Sequence, residues 1–186
     1  MKRIFDISMS LFCMMILSPL IFLISLMVGL SSRGSVLYWS NRVGKDNHFF
    51  RMPKFRTMRM GTPTVATHML SDSLKYLTPV GPFLRKSSLD ELPQLWSIFI
   101  GDMSFVGPRP ALFNQDDLIA LRTQYGVDML LPGLTGWAQV NGRDELSISI
   151  KVQYDVEYLK KQSFWFDMYI LGLTFLKVVR GSGVSH

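Results

Sequence analysis

Thiol, imidazole and paired-ligand chemistry have almost nothing to work with in this chain, whose 186 residues hold one cysteine and three histidines. Cys13 lies alone in an apolar run, so no intrachain disulfide can form and a reducing compartment is permitted. His48, His68 and His186 are scattered, and neither H-E-x-x-H nor a paired-cysteine spacing occurs, which removes the usual zinc sites. Ser-His-Asp and Cys-His schemes fall with them. The glycine patterns that cradle nucleotides, G-x-x-x-x-G-K-[ST] and G-x-G-x-x-G, are absent too. Acid is scarcer than base, 14 residues against 20, for a formal charge of +6. That surplus points toward polyanions: nucleic acid, anionic lipid or phosphorylated ligands. What remains for chemistry is carboxylates and arginines.

Charge is missing altogether between residues 7 and 32, a run dominated by Leu, Ile, Met and Phe and longer than the roughly 20 apolar residues a bilayer crossing needs. It exceeds a signal-peptide core and ends without a small-residue cleavage site, so it is expected to stay. Twelve methionines and thirteen phenylalanines lean the same way, toward a membrane and away from a soluble nucleic-acid binder. No basic-aromatic module for nucleic acid is present, and nucleic acid is not an expected partner. Ser18-Pro19 sits mid-run, where proline removes a helical hydrogen bond and predicts a break or kink. Lys2 and Arg3 precede the run, and Arg33, Arg42, Lys45, Arg51, Lys54, Arg56 and Arg59 follow it. A helix that enters, turns at Ser18-Pro19 and leaves by the same face satisfies both basic flanks; an ordinary kinked span remains open on these residues alone.

The rest reads as α+β, mainly helical. Residues 36–59 suggest short strands about a turn near "NRVGKDN", with Pro53 restricting the second to an edge. Lys54 and Arg56, two apart, share a face in an extended chain. Leu92, Leu95, Trp96, Phe99 and Ile100 form one helical stripe, read as packing. Asn114 is the expected N-cap of a helix beginning "QDDLIALRTQYG". Residues 131–143 are turn-rich. Residues 147–180 read as amphipathic helices, the second carrying Phe164, Trp165, Phe166 and Tyr169 toward either core or membrane interface.

Two adjacent carboxylates stand in "SSLDELPQL" (87–95). Ser88 and Glu91 fit a capping box, and taken alone that is the commoner meaning. Pro93 belongs to the first turn of a helix, which puts Asp90 and Glu91 at a helix start, where anions such as phosphate are favoured. Arg85 and Lys86 add positive charge just upstream. Arg109, between two prolines in "GPRP", is stiffened on both sides and suits an anchored phosphate contact, though the segment could equally be a rigid turn.

The segments "KFRTM" (54–58), "LRKSSLDELPQLWSIFIGDMSFVGPRP" (84–110), "LPGLTGWAQVNGR" (131–143) and "YDVEYL" (154–159), in this order, closely resemble the bacterial sugar transferases known as monotopic phosphoglycosyl transferases. The resemblance covers nearly the whole chain, which looks like a minimal member without the additional N-terminal helices of larger relatives. It implies a re-entrant membrane helix at 1–32, broken at Ser18-Pro19, and a cytoplasmic catalytic domain at 33–186. It further implies transfer of a phospho-sugar from a UDP-sugar, an N-acetylated amino sugar by preference, to polyprenyl (undecaprenyl) phosphate, with release of UMP. The implied place is the cytoplasmic face of a bacterial inner membrane, as the first membrane step of a glycoconjugate pathway. By the same resemblance Asp90 is the nucleophile that forms a phospho-sugar aspartyl intermediate, with Glu91 beside it in the catalytic dyad. Mg2+ is the implied cofactor, on Asp90 and Glu91. Arg85, Arg109, Lys54, Arg56, Arg143 and Asp155 are the implied substrate and phosphate contacts. Membrane lipid is an expected partner, and self-association stays open. The rival reading is a membrane-anchored, non-enzymatic assembly factor whose dyad is only a cap.

Overall fold

In the computed structural model, which describes residues 1–62, 73–142 and 146–180 apart from the side chains of 73, 74, 179 and 180, the apolar run forms one helix, α1 (Lys2–Ser31). It is long and apolar enough to cross a membrane by length and composition. The expected break at Ser18-Pro19 does not end it: Pro19 lies inside the helix. The reason is local. Pro19 lacks the N–H that would have bonded the carbonyl four residues back, Met15, and the Ser18 hydroxyl donates to that same carbonyl at 2.8 Å. The two-residue motif thus removes a backbone bond and supplies a side-chain one in its place.

One stripe of α1 faces the protein. Asp6, Ser10, Ile24 and Val28 are buried. Between them Phe5, Met9, Cys13, Met14 and Leu17 pack on the larger apolar cluster, and Leu20 and Ile21 on a second one with Phe55 and Leu84. The opposite face leaves Ile4, Ile7, Leu11, Phe12, Met15, Ile16, Phe22, Leu23, Leu26 and Leu30 exposed. Both ends are tied down. Lys2 donates to the Val106 carbonyl and to Asp167, and Arg3 to the carbonyls of Ile98 and Phe99. At the far end Arg56, 5% exposed, donates to the carbonyls of Ser32 and Arg33.

After α1, β1 (Leu37–Val43) and β2 (Phe49–Phe55) form an antiparallel hairpin in which Pro53 faces Trp39, tolerable because a two-stranded ribbon has only edges. Helix α2 (Gly81–Lys86) and a 3-10 turn at Leu89–Glu91 lead into α3 (Gln94–Ile100). The stripe expected of α3 is split: Leu95 and Ile98 are buried with Gln94 and Ser97, whereas Trp96 and Ile100 are about half exposed. Both sides of this short helix are therefore apolar.

Strand β3 (Ser104–Val106) pairs in parallel with β4 (Gly133–Thr135). The turn-rich stretch 131–143 thus contains a strand and a short helix, α5 (Trp137–Asn141), both too brief for a periodic signal. Its glycines are required by close approach. A Cβ on Gly133 would lie 2.1 Å from the Gly107 nitrogen, and one on Gly136 2.1 Å from the Gly107 oxygen. Helix α4 (Asp116–Gln124) starts from Gln115, not Asn114, and stops before Gly126 at φ 72°. Helices α6 (Ile148–Lys161) and α7 (Phe164–Arg180) complete the fold. Val106, Ile98, Met103, Tyr158 and Ile170 form the centre of the core. Trp165 and Tyr169 stay exposed on α7 while Phe166 packs inward, so that helix serves core and surface at once.

Candidate active site

The capping box is not formed. Ser88 adopts a left-handed conformation (φ 56°), its side chain makes no cap hydrogen bond, and the Glu91 carboxylate turns elsewhere. A non-glycine residue held there carries backbone strain of about 1–2 kcal/mol, and such strain concentrates at functional sites. Its effect is to swing the chain sharply from α2 into the Leu89–Glu91 turn, which puts Asp90 in a buried position two residues on, 9% exposed.

Glu91 Oε1 accepts hydrogen bonds from Lys54 Nζ and Arg109 Nη2, both at 2.8 Å. Burial pushes the Glu91 carboxyl up, but these two charges and their hydrogen bonds outweigh it and hold the group well below the usual carboxylate range. Lys54, on β2, is pushed down by its own burial and supported by Glu91. Asp90 differs. Burial raises its pKa, Lys54 opposes that, Glu91 adds to it, and Arg85 and Arg109 oppose it. The hydrogen bonds of Lys54 and Arg109 go to Glu91, so Asp90 feels both cations across space while Glu91 holds them. Arg85, from the last turn of α2, has Nε on Thr57 Oγ1 at 3.0 Å and is electrostatically coupled to Asp90. Among the described residues three cations thus stand about two carboxylates, and the charge of Arg42 also reaches Lys54.

Arg109 lies in the loop after β3, whose successive carbonyls are each taken by a donor. Gly133 N–H holds Pro108, Arg122 Nη1 holds Arg109 at 2.8 Å, and Arg42 Nη1 holds Pro110 at 3.1 Å. Asp155, on α6, is buried and does not meet the dyad. Its Oδ2 accepts from Arg122 Nε at 2.9 Å and Nη2 at 2.7 Å. Lys54, Arg85, Asp90, Glu91 and Arg109 are therefore brought together, and Asp155 reaches them only through Arg122. Arg56 is not brought in: its guanidinium closes the end of α1 on Ser32 and Arg33. Arg143 lies outside the described residues. Arg122, Arg42 and Thr57 were not singled out as site residues from the sequence, where nothing pairs Arg122 with Asp155 thirty-three positions away.

Magnesium usually takes one or two protein carboxylates and completes its octahedron with substrate phosphates and water. Among the described residues no group of three or more His, Cys, Asp or Glu side chains could hold a metal ion, so a protein-only cage is ruled out there. Asp90 fits the phosphate-sharing mode. Glu91 fits it poorly, because Oε1 is committed to two cations.

A sequence model of the family described as "Bacterial sugar transferase" matches residues 1–181. The chain is 38% identical over 185 residues to UDP-glucose:undecaprenyl-phosphate glucose-1-phosphate transferase of Escherichia coli (strain K12), covering 95% of this chain and 40% of that protein. It is 34% identical to the UDP-N-acetylgalactosamine-undecaprenyl-phosphate N-acetylgalactosaminephosphotransferase of Aeromonas hydrophila, with 98% and 44% covered. It is 37% identical to the sugar transferase EpsL of Bacillus subtilis (strain 168), with 100% and 91% covered. The chain therefore spans less than half of the first two relatives and nearly all of the third.

Proposed function

The chain belongs to the bacterial sugar transferase family, and from that premise we propose that it transfers a sugar 1-phosphate from a UDP-sugar to polyprenyl (undecaprenyl) phosphate, giving polyprenyl-diphosphate-sugar and UMP. The observation that carries this is the division within the dyad: Glu91 holds Lys54 and Arg109, and Asp90 is left buried beside a surplus of positive charge. Phosphoryl transfer asks for positioning, an in-line nucleophile and charge neutralisation more than for strong acid-base groups.

In the first step an Asp90 carboxylate oxygen attacks the phosphorus that bears the sugar. The bond from that phosphorus to the bridging oxygen breaks, and UMP leaves with both electrons. In the second a polyprenyl phosphate oxygen attacks the resulting aspartyl phosphate, the new phosphorus–oxygen bond forms, and the Asp90 carboxylate is released. Arg109 and Lys54, aligned by Glu91, and Arg85, propped on Thr57, face the charge that builds on the phosphoryl oxygens. Mg2+, when bound by Asp90 and the diphosphate, supplies further neutralisation of that charge.

The membrane placement rests on α1. Both of its ends are tied to the same folded body, Lys2 and Arg3 at one and Ser32 and Arg33 at the other, and its outer face is largely apolar and carries no charge. A helix so fastened cannot leave its N-terminus on the opposite side of a bilayer without breaking those bonds. That supports a membrane-embedded element at 1–32 that enters and leaves by one face, with residues 33–186 as the catalytic domain at the cytoplasmic surface of the inner membrane, where the lipid substrate's phosphate is found. Opposite-face accessibility of labels at residue 2 and in the globular part, in sealed vesicles, would overturn it.

An N-acetylated amino sugar is the donor we favour; relatives named for glucose, galactose and N-acetylgalactosamine set the comparison panel. The test is UMP release from those UDP-sugars with undecaprenyl phosphate, alongside intact-mass detection of a phospho-sugar adduct. The adduct is expected in the native chain and absent in Asp90→Asn. Full turnover in that variant would sink Asp90 as the nucleophile, and a native chain that releases no UMP from any of these donors would favour a non-enzymatic assembly role.

A further inference from the structure

The Arg109 loop has no donors of its own at Pro108 and Pro110, because proline carries no N–H. Its shape depends on what its carbonyls receive from outside, and the Arg109 carbonyl receives the guanidinium of Arg122. Arg122 is 8% exposed, and two of its nitrogens, Nε and Nη2, are held on Asp155 Oδ2, itself from a residue 2% exposed. The remaining nitrogen, Nη1, is the one that reaches Arg109. A chain of contacts therefore runs from α6 through α4 to the loop: Asp155 fixes Arg122, Arg122 fixes the Arg109 backbone, and the Arg109 side chain closes on Glu91 at 2.8 Å. Arg109 is the most exposed member, its side chain 41% accessible, so it has the least packing of its own to define its position.

We infer that Arg122, oriented by Asp155, is a positioning residue for Arg109, and that Asp155 serves the reaction through this pair and not by touching a phosphate. The inference rests on the proposed transfer reaction. Lysine cannot replace Arg122, since an ammonium lacks the planar fork that engages a carboxylate with two nitrogens and a carbonyl with a third.

The test is a double-mutant cycle on UMP release, using Arg122→Lys, Arg109→Met and the pair. Arg122→Lys is expected to lower kcat/KM by about a hundredfold, the scale of a 1 Å misplacement in a preorganised site. The loss should fall mainly on kcat and not on KM, because a misplaced Arg109 costs charge stabilisation that is needed most in the transition state. In the Arg109→Met background the same change should cost less than about threefold, because what it positions is gone. Asp155→Asn carries the identical cycle should Arg122→Lys melt too low to assay. Effects that multiply independently in both cycles, or an Arg122→Lys enzyme with native kcat/KM, would overturn the inference. If Arg109→Met and Asp90→Asn both leave UMP release untouched, it is the proposed active site that has failed.

Discussion

Two charged clusters sit in this molecule, and they are built on opposite terms. At the start of α1 the Lys2 ammonium spends all three of its protons, on the Val106 carbonyl, the Tyr158 hydroxyl and Asp167 Oδ2, and the Tyr158 hydroxyl donates to Asp167 Oδ1. Arg3 covers two carbonyls at the end of α3, and Asp6 accepts from Phe105 N–H. Around the dyad, Lys54, Arg85 and Arg109 stand about Asp90 and Glu91, with one carboxylate holding two of the cations. The Lys2 ammonium has no proton left to offer an anion; among the described residues the second cluster has more cations than carboxylates, and one of those carboxylates is buried. Committed donors of this kind suit an anchor, and the second arrangement suits the phosphate contacts proposed above.

The largest separation between the two should come from Asp90→Asn. UMP release is expected to fall by roughly a thousandfold or more, as when a covalent nucleophile is removed. The same change should raise the Tm at neutral pH. Burial lifts the Asp90 pKa above its unfolded value, so the ionised group opposes folding above that range, and the opposition fades as the pH drops below the unfolded pKa. A variant that loses both activity and stability would place Asp90 with the anchors.

Glu91→Gln is expected next. It keeps the shape but takes the charge from between Lys54 and Arg109, leaving two cations facing each other. We expect about a hundredfold loss in kcat/KM, the scale for a disrupted preorganised donor, and a stability loss of about 2 kcal/mol, moderated by the exposure of Arg109. Steady-state kinetics and thermal melts of one preparation measure both. Lys2→Met should reverse the ratio. It strands Asp167 and should cost about 2 kcal/mol of stability, reduced from a fully buried pair because the Lys2 side chain is 27% exposed. Turnover per folded molecule should stay within about threefold of native. A Lys2→Met enzyme that melts normally but turns over slowly would erase the distinction between the clusters.

How much of this could be read before folding follows the range of the interactions. The apolar run, the helices of residues 147–180 and the dyad's place beside Arg85 are carried by neighbouring residues and periodicity, and were legible. The Ser88-Glu91 cap fitted the local pattern and lost, because Lys54 and Arg109, from β2 and the loop after β3, offer Glu91 two charge-assisted bonds that a backbone N–H cannot match. Arg56 shares a strand spacing with Lys54 yet serves the end of α1, a partner more than twenty residues back. At Pro19 the local rule was sound as far as the lost backbone bond goes, and the Ser18 hydroxyl takes up the Met15 carbonyl that the proline leaves without a donor. Long-range pairings of this kind, Arg122 with Asp155 above all, leave no spacing in the sequence to find.

The smallest effect expected is a displacement in pH, and it bears on the same contrast. Asp90 must be ionised to attack, and its pKa lies above the ordinary aspartate value because burial outweighs the surrounding cations, of which Lys54 counts most. The kcat/KM of the native chain should therefore rise with pH along an acid limb set above the usual carboxylate range. Lys54→Met removes the strongest opposing charge, so the Asp90 pKa climbs further and the limb moves to higher pH, with the plateau lowered by the loss of a phosphate contact. Lys2→Met, which touches only the cluster at the start of α1, should leave the limb in place. Profiles of UMP release for the three proteins across the acid range decide the matter: a limb that shifts with Lys2 as much as with Lys54 would mean that Asp90 does not govern it.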